Sequence, residues 1–317
     1  MKRGCLLPAR RSCRRAARGS EKGMKRRILI LGGTGMLGHA LFKLCASRDD
    51  LDAYAAARSE TGPPSWLMPG DGRRWIGGVD AEDVDSLRRA IASVLPHVVI
   101  NGIGLRPSAD ADPAAMISIN ALFPHRLARL CGEYAARLVH IGTDGVFDGA
   151  KGMYAEGDPV RISDAYGMTK YLGEVGGRGC VTLRTSIIGH ELTGHSGLVD
   201  WFLREQGPVR GFARAIYSGF PTPEFARIVA DFVIPREDMA GVYHVSSEPI
   251  SKYELLQRIA DRYGKRVAIE RCDVPVLDRS LDSSSFRALT GYRPPSWPEM
   301  IRAMHADFTQ YRGSMYV

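Results

Sequence analysis

Tyr166 and Lys170 are the residues whose types and spacing most directly indicate chemistry in this chain of 317 residues. They lie four positions apart in a segment of helical pattern and therefore share one helix face. A lysine ammonium near a phenol favours the phenolate and lowers the tyrosine pKa, so such a pair can exchange a proton with a carbonyl oxygen. The same spacing is also typical of an exposed helical pair, so the interpretation depends on the surrounding sequence.

Thr143 supplies part of that context. It lies 23 residues before Tyr166, directly after the apolar run 138–141, where a strand is predicted to end. Open α/β sheets bind ligands at the carboxyl ends of their strands. We therefore predict that Thr143 hydrogen-bonds the same carbonyl oxygen, and that Thr143, Tyr166 and Lys170 are catalytic.

A glycine-rich turn follows the first apolar run, 28–31. Gly32 permits a tight turn, Gly35 lets the backbone approach a pyrophosphate, and Gly38 lets the next helix pack closely with its N-terminus toward the phosphates. An ordinary strand–helix turn is the alternative, but the position at the first such junction favours a dinucleotide site. The predicted cofactor contacts here and at the end of a later strand are Gly32, Thr34, Gly35, Met36, Leu37, Gly38, Asn101 and Gly102, with Lys170 on the nicotinamide ribose.

The end of the second predicted strand indicates which dinucleotide is preferred. NAD-selective sites place an acidic residue there, whereas this chain has Arg58 and Ser59. Arg58 can pair with a ribose 2′-phosphate and Ser59 can donate to it, so NADPH is predicted, with NADH as the alternative. Asp80 is placed to meet the adenine amino group. A solvated surface arginine and a plain loop aspartate are the alternatives for Arg58 and Asp80.

Strands and helices alternate along the first 190 residues, which predicts an α/β fold with a doubly wound parallel sheet. The predicted strands are 28–31, 52–58, 75–76, 98–100, 138–141, 181–184 and 242–245. The predicted helices are 36–46, 84–94, 114–136 with an interruption at Pro124, 166–175, 225–233, 252–263 and 297–308. We expect a Rossmann domain over 24–188 and a smaller α/β substrate-binding lobe over 189–317, partly interleaved with it.

The charge of the chain is concentrated at its start. Residues 1–23 hold eight basic residues and one acidic residue, a net charge of +7, which leaves +1 for the rest. The nearly neutral body gives no reason to expect a nucleic-acid partner. The basic tail lacks the apolar stretch of a secretory signal and resembles an organelle presequence only in composition, so a true start at Met24 is favoured.

Cysteine spacing and hydropathy further limit the class of protein to which the chain can belong. The six cysteines include no Cys-x-x-Cys pair, which argues against a zinc site or a disulfide framework and favours a reducing cytoplasm. No apolar run is long enough for a membrane span, and no membrane partner is predicted. His190 and His195 flank Glu191, but a spacing of five does not place both on one helix face, so no metal site is predicted.

The chain resembles the extended short-chain dehydrogenase/reductases, and most of all the dTDP-4-dehydrorhamnose reductase family of sugar-nucleotide reductases. The resemblance covers about residues 24–310. It implies NAD(P)H-dependent reduction of a nucleotide-linked 4-keto-6-deoxy sugar, with Asn120 supporting Lys170 and a water chain. The residues that carry it are the 32–38 turn, Asn120 in 118–121, Thr143–Gly149, the Tyr166–Lys170 motif with Gly173 and Glu174, and Leu183–Thr185.

Substrate contacts are expected mainly downstream of the catalytic threonine. Arg279 can bind a nucleotide diphosphate, with a surface arginine as the alternative. Arg184 follows a strand and belongs either to the cofactor pocket or to a buried structural ion pair. The candidate substrate-binding residues are Asp144, Val146, Phe147, Arg184, His195 and Arg279. A homodimer is compatible with the fold expected from the resemblance.

Gly145 is a departure from the family, which usually has an aromatic residue at this position. The change opens space beside the site. Related dehydratases carry Thr-Asp-Glu, and Gly145 removes half of the acid–base pair that dehydration needs. Two alternatives to a reductase remain open: an epimerase of the same fold, and a regulatory subunit that binds NADP and a partner protein without turnover.

Overall fold

A seven-stranded parallel sheet forms the centre of the computed structural model, which describes residues 25–62, 74–106 and 112–315. The tail 1–23 and part of the predicted loop 60–78 lie outside the described residues. The strands are β1 Arg26–Leu31, β2 Leu51–Ala56, β3 Trp75–Ile76, β4 Val98–Asn101, β5 Arg137–Ile141, β6 Cys180–Arg184, β7 Ile187–Ile188, β8 Val209–Phe212, β9 Ala215–Tyr217, β10 Phe220–Pro221, β11 Gly241–His244, β12 Ile250–Ser251, β13 Ile269–Cys272 and β14 Leu277–Asp278.

The strand order is β11-β6-β5-β4-β1-β2-β3, and every neighbouring pair is parallel. The order reverses at β1, which pairs with β2 on one side and β4 on the other. Such a reversal leaves a crevice at the carboxyl ends of the two central strands, because their connections run to opposite faces. The predicted doubly wound α/β fold is confirmed.

The helices cover both faces of this sheet. They are α1 Met36–Ala46, α2 Val84–Val94, α3 Pro113–Met116, α4 Phe123–Glu133, α5 Ala165–Leu172, α6 Leu198–Arg204, α7 Thr222–Ile228, α8 Lys252–Tyr263, α9 Ser284–Thr290 and α10 Trp297–Met315. In β1, Ile28 and Ile30 belong to one apolar cluster, and Leu29 and Leu31 belong to another. Successive side chains of a strand point to opposite faces, so both faces of β1 are buried. No helix in the described part of the chain is long and apolar enough to cross a bilayer.

A π-helical turn, Ile117–Leu122, replaces the predicted interruption at Pro124. Pro124 occupies the start of α4 and has no N–H to donate to the carbonyl of Asn120, so the backbone widens there instead of breaking. Gly173 follows α5 and packs on this turn, where a Cβ atom would overlap the carbonyl oxygen of Asn120. The close approach fixes α5 against the π-helical turn.

The second half of the chain contributes both to the large sheet and to smaller sheets. Strand β11 forms one edge of the seven-stranded sheet. The remaining strands form the sheets β10-β7, β12-β9-β14 and β13-β8. The predicted helix 225–233 is found as α7 followed by a second π-helical turn, Val229–Val233. The domain boundary at residue 188 stays a prediction.

Candidate active site

A cavity of about 580 Å³ opens at the carboxyl edge of the sheet, where the strand order reverses. It is lined by the loops after β1, β4 and β5, by the start of α5, and by the segment around β7. Of the predicted site residues, the structure brings to this cavity Thr34, Gly35, Met36, Leu37, Asn101, Gly102, Thr143, Asp144, Tyr166, Lys170 and Arg279.

The glycine turn shapes one end of the cavity. Gly32 has a φ of +80°, and a Cβ atom there would lie 3.1 Å from the backbone carbon of Gly102. A Cβ atom at Gly38 would overlap the carbonyl oxygen of Gly32. Gly32 and Gly38 therefore do not line the cavity but let α1 begin directly at the turn. The turn is shaped as a pyrophosphate site requires, with backbone N–H groups and a helix N-terminus at the cavity.

Thr143 and Tyr166 also line the cavity. Thr143 follows β5 and its Oγ1 accepts the N–H of Gly145 at 3.1 Å. Tyr166 begins α5, whose first turn is capped by Asp164. A Cβ atom at Gly145 would lie 3.3 Å from Thr143 Oγ1 and 3.7 Å from Tyr166 Cε1. The glycine thus leaves room where the hydroxyl groups of Thr143 and Tyr166 meet the cavity.

Lys170 is fully buried, and its Nζ donates to the carbonyl oxygen of Ile141 at 2.7 Å. Burial lowers the pKa of Lys170 to about 8, and nearby Glu174 opposes the change. Burial also raises the pKa of Tyr166, although the hydrogen bond from Thr143 acts to lower it. The expected lowering of the Tyr166 pKa by Lys170 is therefore wrong for this structure, because desolvation outweighs other effects. A protonated Tyr166 is the form that can donate.

Asn120 holds the loop after β4 in place by hydrogen bonds and does not itself line the cavity. Its Oδ1 accepts the N–H of Leu105 at 2.8 Å, and its Nδ2 donates to the carbonyl oxygen of Leu105 at 2.9 Å. Leu105 and Gly104 line the cavity. A Cβ atom at Gly104 would lie 3.5 Å from Asn120 Oδ1 and 3.7 Å from Lys170 Nζ. Asn120 therefore keeps this loop close to Lys170, which agrees with a supporting position.

Asp144 is largely buried at the cavity wall. Burial raises its pKa to about 6, and the positive charges of Arg279 and Lys252 oppose the rise. Thr143 Oγ1 lies 3.4 Å from its carboxylate. A carboxyl group in a cavity whose pKa is raised toward neutral pH is characteristic of functional sites.

Asp144→Asn is expected to stabilise the protein at pH 8 and not at pH 4. The folded-state pKa of about 6 exceeds the unfolded value of 3.8, so the folded protein binds the proton more tightly, and stability falls as the pH rises through this range. Removing the charge should add about 1–2 kcal/mol at pH 8 after allowance for partial exposure. Thermal unfolding of both proteins at the two pH values measures the difference. An equal effect at both pH values would contradict this account.

Arg184 is a buried structural residue, and the prediction of substrate contact is wrong for it. Its Nε and Nη2 donate to the two carboxylate oxygens of Glu174 at 2.7 and 2.8 Å. Its Nη1 lies 3.2 Å from His244 Nε2, and its guanidinium lies 5.5 Å from the centroid of the Phe147 ring. These contacts hold the guanidinium in a buried ion pair, as the ion-pair alternative requires.

Three further residues do not meet the cavity either. Val146 and Phe147 are fully buried, and Phe147 stacks on Tyr154 with ring centroids 4.2 Å apart. Apolar packing turns these two side chains inward, so the prediction that they contact substrate is wrong. His195 is exposed and does not line the cavity, so its contact with substrate stays a prediction.

The residues predicted to select the cofactor lie beyond the cavity. Arg58 and Ser59 are exposed after β2, and Ser59 Oγ lies 2.6 Å from Thr61 Oγ1. Asp80 Oδ1 accepts the N–H of Glu82 at 2.9 Å, a local turn that fits the loop alternative. The roles of Arg58, Ser59 and Asp80 in cofactor binding stay predictions.

An ion pair that no sequence pattern predicts joins two loops at the cavity. Arg106, after β4, pairs with Glu191 and donates to Ser196 Oγ at 2.8 Å, linking the loops after β4 and β7. No sequence pattern brings these loops together, because the contact spans 85 residues. Arg279 Nη2 donates to Ser163 Oγ at 2.9 Å, and its buried Nε has no hydrogen-bond partner among the described residues.

His190 belongs to a network in the second half of the chain. Its Nδ1 lies 2.6 Å from Asp200, its Nε2 lies 2.8 Å from the Tyr263 hydroxyl, and its ring stacks on Phe308. Within the described residues, no group of three or more metal-ligating side chains is found. The His190 side chain therefore ties α6, α8 and α10 together.

The parallel sheet, the glycine turn and the threonine, tyrosine and lysine at one sheet edge define an extended short-chain dehydrogenase/reductase. More closely, the chain belongs to the family whose model is described as the RmlD substrate binding domain, which matches residues 25–310. The family resemblance expected from the sequence is thus confirmed.

Two curated relatives and one solved structure illustrate the range of this family. Methionine adenosyltransferase 2 subunit beta from Danio rerio is 28% identical over 257 residues, which cover 75% of this chain and 74% of that protein. The dTDP-4-dehydrorhamnose reductase from Aggregatibacter actinomycetemcomitans is 24% identical over 307 residues, 88% of this chain and 98% of the relative. The crystal structure of dTDP-4-dehydrorhamnose reductase from Bacillus anthracis in complex with NADP has a TM-score of 0.73 at 20% identity, covering 90% and 100% of the two chains, and shows the shared fold.

Proposed function

We propose that this protein is an NADPH-dependent reductase of a nucleotide-linked 4-keto-6-deoxy sugar. The observation that carries the proposal is the single cavity shared by the glycine turn, Thr143, Tyr166 and Lys170. The relative from A. actinomycetemcomitans, named as a dTDP-4-dehydrorhamnose reductase, supports the substrate class.

The residues divide the reaction between them. The dinucleotide, when bound, supplies the hydride, and the turn at Gly32 and Gly38 leaves its backbone open for the pyrophosphate. Thr143 holds the sugar carbonyl oxygen and polarises it. Tyr166, protonated because it is buried, donates its proton to that oxygen as charge develops there. Lys170 holds the nicotinamide ribose, and its positive charge partly offsets the cost of forming the buried phenolate, although burial dominates the pKa of Tyr166.

Substrate binding is assigned to the part of the cavity near Arg279 and Arg106. Arg279 presents a guanidinium whose Nε has no partner among the described residues, and Arg106 reaches the cavity from the loop after β4. Two arginines suit a diphosphate, because a guanidinium binds phosphate oxygens bidentately. Asp144 offers its carboxyl group to the sugar hydroxyls.

Arg58→Ala should weaken NADPH binding by about 10- to 100-fold and leave NADH binding unchanged. The expected loss is that of one charge-assisted contact to the 2′-phosphate. Fluorescence titration with both cofactors measures the effect. Arg89→Ala, which removes another exposed arginine, is the matched control. Equal losses for NADPH and NADH would contradict the role of Arg58.

A regulatory subunit is the second candidate function, and the relative from D. rerio favours it. That protein is named as a beta subunit of methionine adenosyltransferase 2 and is 28% identical to this chain. A protein of this kind would bind the dinucleotide in the same cavity and a partner protein on its surface, without reducing a sugar. The epimerase alternative uses the same tyrosine and lysine. A homodimer is proposed for either enzyme.

The deciding experiment follows NADPH absorbance with nucleotide-linked 4-keto-6-deoxy sugars prepared in situ. Turnover with one of them establishes the reductase and identifies the sugar class. Tight NADPH binding without turnover of any tested sugar would shift the assignment to the regulatory subunit. Interconversion of sugars without net loss of NADPH would identify an epimerase.

A further inference from the structure

A fully buried histidine lies on the strand that leads to Thr143. His140 is the fourth residue of β5 and has no exposed surface. It lies in register with Asn101 of β4 and Thr182 of β6. Side chains alternate along a strand, so His140 shares a face with Leu138, whose side chain belongs to the apolar cluster beneath α4. An imidazole in such a layer must be hydrogen-bonded on both nitrogens to be stable.

The hydrogen bonds of Asn101 determine where the His140 proton lies. Asn101 Oδ1 accepts the N–H of Ile103 at 3.0 Å, so its Nδ2 faces His140 and donates to Nδ1 at 3.0 Å. Burial, assisted by the charge of Lys170, lowers the pKa of His140 well below its usual value, so the ring is neutral. A neutral ring that accepts at Nδ1 carries its proton on Nε2. Nε2 is buried and has no partner among the described residues.

Lys170 lies close enough to His140 for its positive charge to act on the imidazole. Its Nζ donates one proton to the carbonyl oxygen of Ile141, the residue that follows His140 on β5. Gly104 has no side chain to fill the space beside Nζ, where a Cβ atom would lie 3.7 Å away. The ammonium and the imidazole N–H are both donors and cannot bond to each other. One water molecule resolves this, since its oxygen accepts from both.

We propose that His140 is a positioning residue for Lys170, and that its Nε2–H and the Lys170 ammonium share one buried water. The water gives the ammonium a second acceptor besides the Ile141 carbonyl and so fixes where the charge lies. The catalytic consequence rests on the proposed function, whereas the hydrogen-bond arrangement does not. The other ionisable groups that act on this pair are His125 on α4 and Glu174 beyond the end of α5.

Nuclear magnetic resonance of the full chain labelled with ¹⁵N-lysine and ¹⁵N-histidine tests the arrangement without any substrate. We expect the His140 ring to be neutral at neutral pH, with its proton on Nε2. We expect Lys170 to titrate near pH 8, as its burial requires. In His140→Phe the shared water loses its second donor and its site, so the Lys170 pKa should fall by about one unit. A proton on Nδ1, or an unmoved Lys170 pKa in His140→Phe, would overturn the proposal.

Two further variants separate positioning from folding. Thr182 lies beside His140 and is equally buried, and among the described residues its Oγ1 bonds to the backbone of Val175. Thr182→Val therefore removes a buried polar group and should leave the Lys170 pKa unchanged. His140→Gln keeps an acceptor for Asn101 and a donor for the water, and should restore the wild-type titration. If His140→Phe does not fold, the wild-type tautomer and the glutamine variant still decide the matter.

The pH profile of turnover connects the arrangement to the reaction. With NADPH and an active sugar, the alkaline limb of kcat in His140→Phe should move to lower pH by the same unit, with KM changed less than about twofold. A uniform loss of kcat at all pH values would indicate a structural role and overturn the proposal. Absence of turnover in every protein, wild type included, would refute the proposed function and leave the lysine titration to decide on His140.

Discussion

Tyr166→Phe is expected to lower turnover of the proposed keto-sugar substrate by about 10²- to 10⁴-fold while NADPH binding changes less than twofold. In the proposed mechanism the phenol donates the proton, and general acid catalysis contributes a factor of this size. The ring itself is retained, so the packing at the start of α5 should be unaffected. Single-turnover oxidation of NADPH, measured together with a binding titration, separates the two effects.

The matched control for this variant is Tyr171→Phe. Tyr171 lies on the same helix but is exposed and does not line the cavity. Its loss should leave both turnover and binding unchanged. Full activity of Tyr166→Phe would contradict the assigned role and favour a protein in which the cavity only binds the dinucleotide.

Arg184→Met should destabilise the fold by about 3–5 kcal/mol. The change leaves the carboxylate of Glu174 buried and without its bidentate partner, and an uncompensated buried charge costs about this much. The expected loss is large relative to the whole free energy of unfolding of an ordinary domain. Denaturation by urea, followed by circular dichroism, measures it.

An exposed arginine–glutamate pair provides the comparison with the buried pair of Arg184 and Glu174. Arg88 pairs with Glu133 at 2.6 Å, but each side chain is more than two-fifths exposed. Arg88→Met should therefore cost less than about 1 kcal/mol. If Arg184→Met were as stable as the wild type but bound the sugar nucleotide poorly, Arg184 would be a substrate residue after all.

The parts of the fold that follow from local patterns could be predicted from the sequence. The bounds of α1, α2 and α8 agree with the helical spacing of their apolar residues, and the predicted strands of the central sheet are present. The π-helical turn before Pro124 could not be predicted, because a proline there can equally interrupt a helix, and the packing of Gly173 against Asn120 that accompanies the turn is a tertiary contact. Local periodicity carries no information about such a contact.

The candidate site likewise contains some residues that the sequence identifies and others whose roles are decided by tertiary packing. The glycine turn, Thr143 and Tyr166 could be identified because each lies at a strand end or helix start that the sequence marks. Arg184 also follows a strand, but its orientation toward Glu174 and His244 is decided by packing. The bridge between Arg106 and Glu191 depends on how the loops after β4 and β7 meet, which no single stretch of sequence specifies.

The contact between Gly173 and the carbonyl oxygen of Asn120 has a consequence for how this protein can diverge. It joins the helix that carries Tyr166 and Lys170 to the turn that carries Asn120, so none of the three can shift independently. Much of the remaining cavity wall belongs to the loops after β4 and β7, where packing tolerates exchange more readily. Over evolutionary time, descendants of this chain can therefore change the proposed substrate by loop replacement while the positions of Asn120, Tyr166 and Lys170 stay fixed.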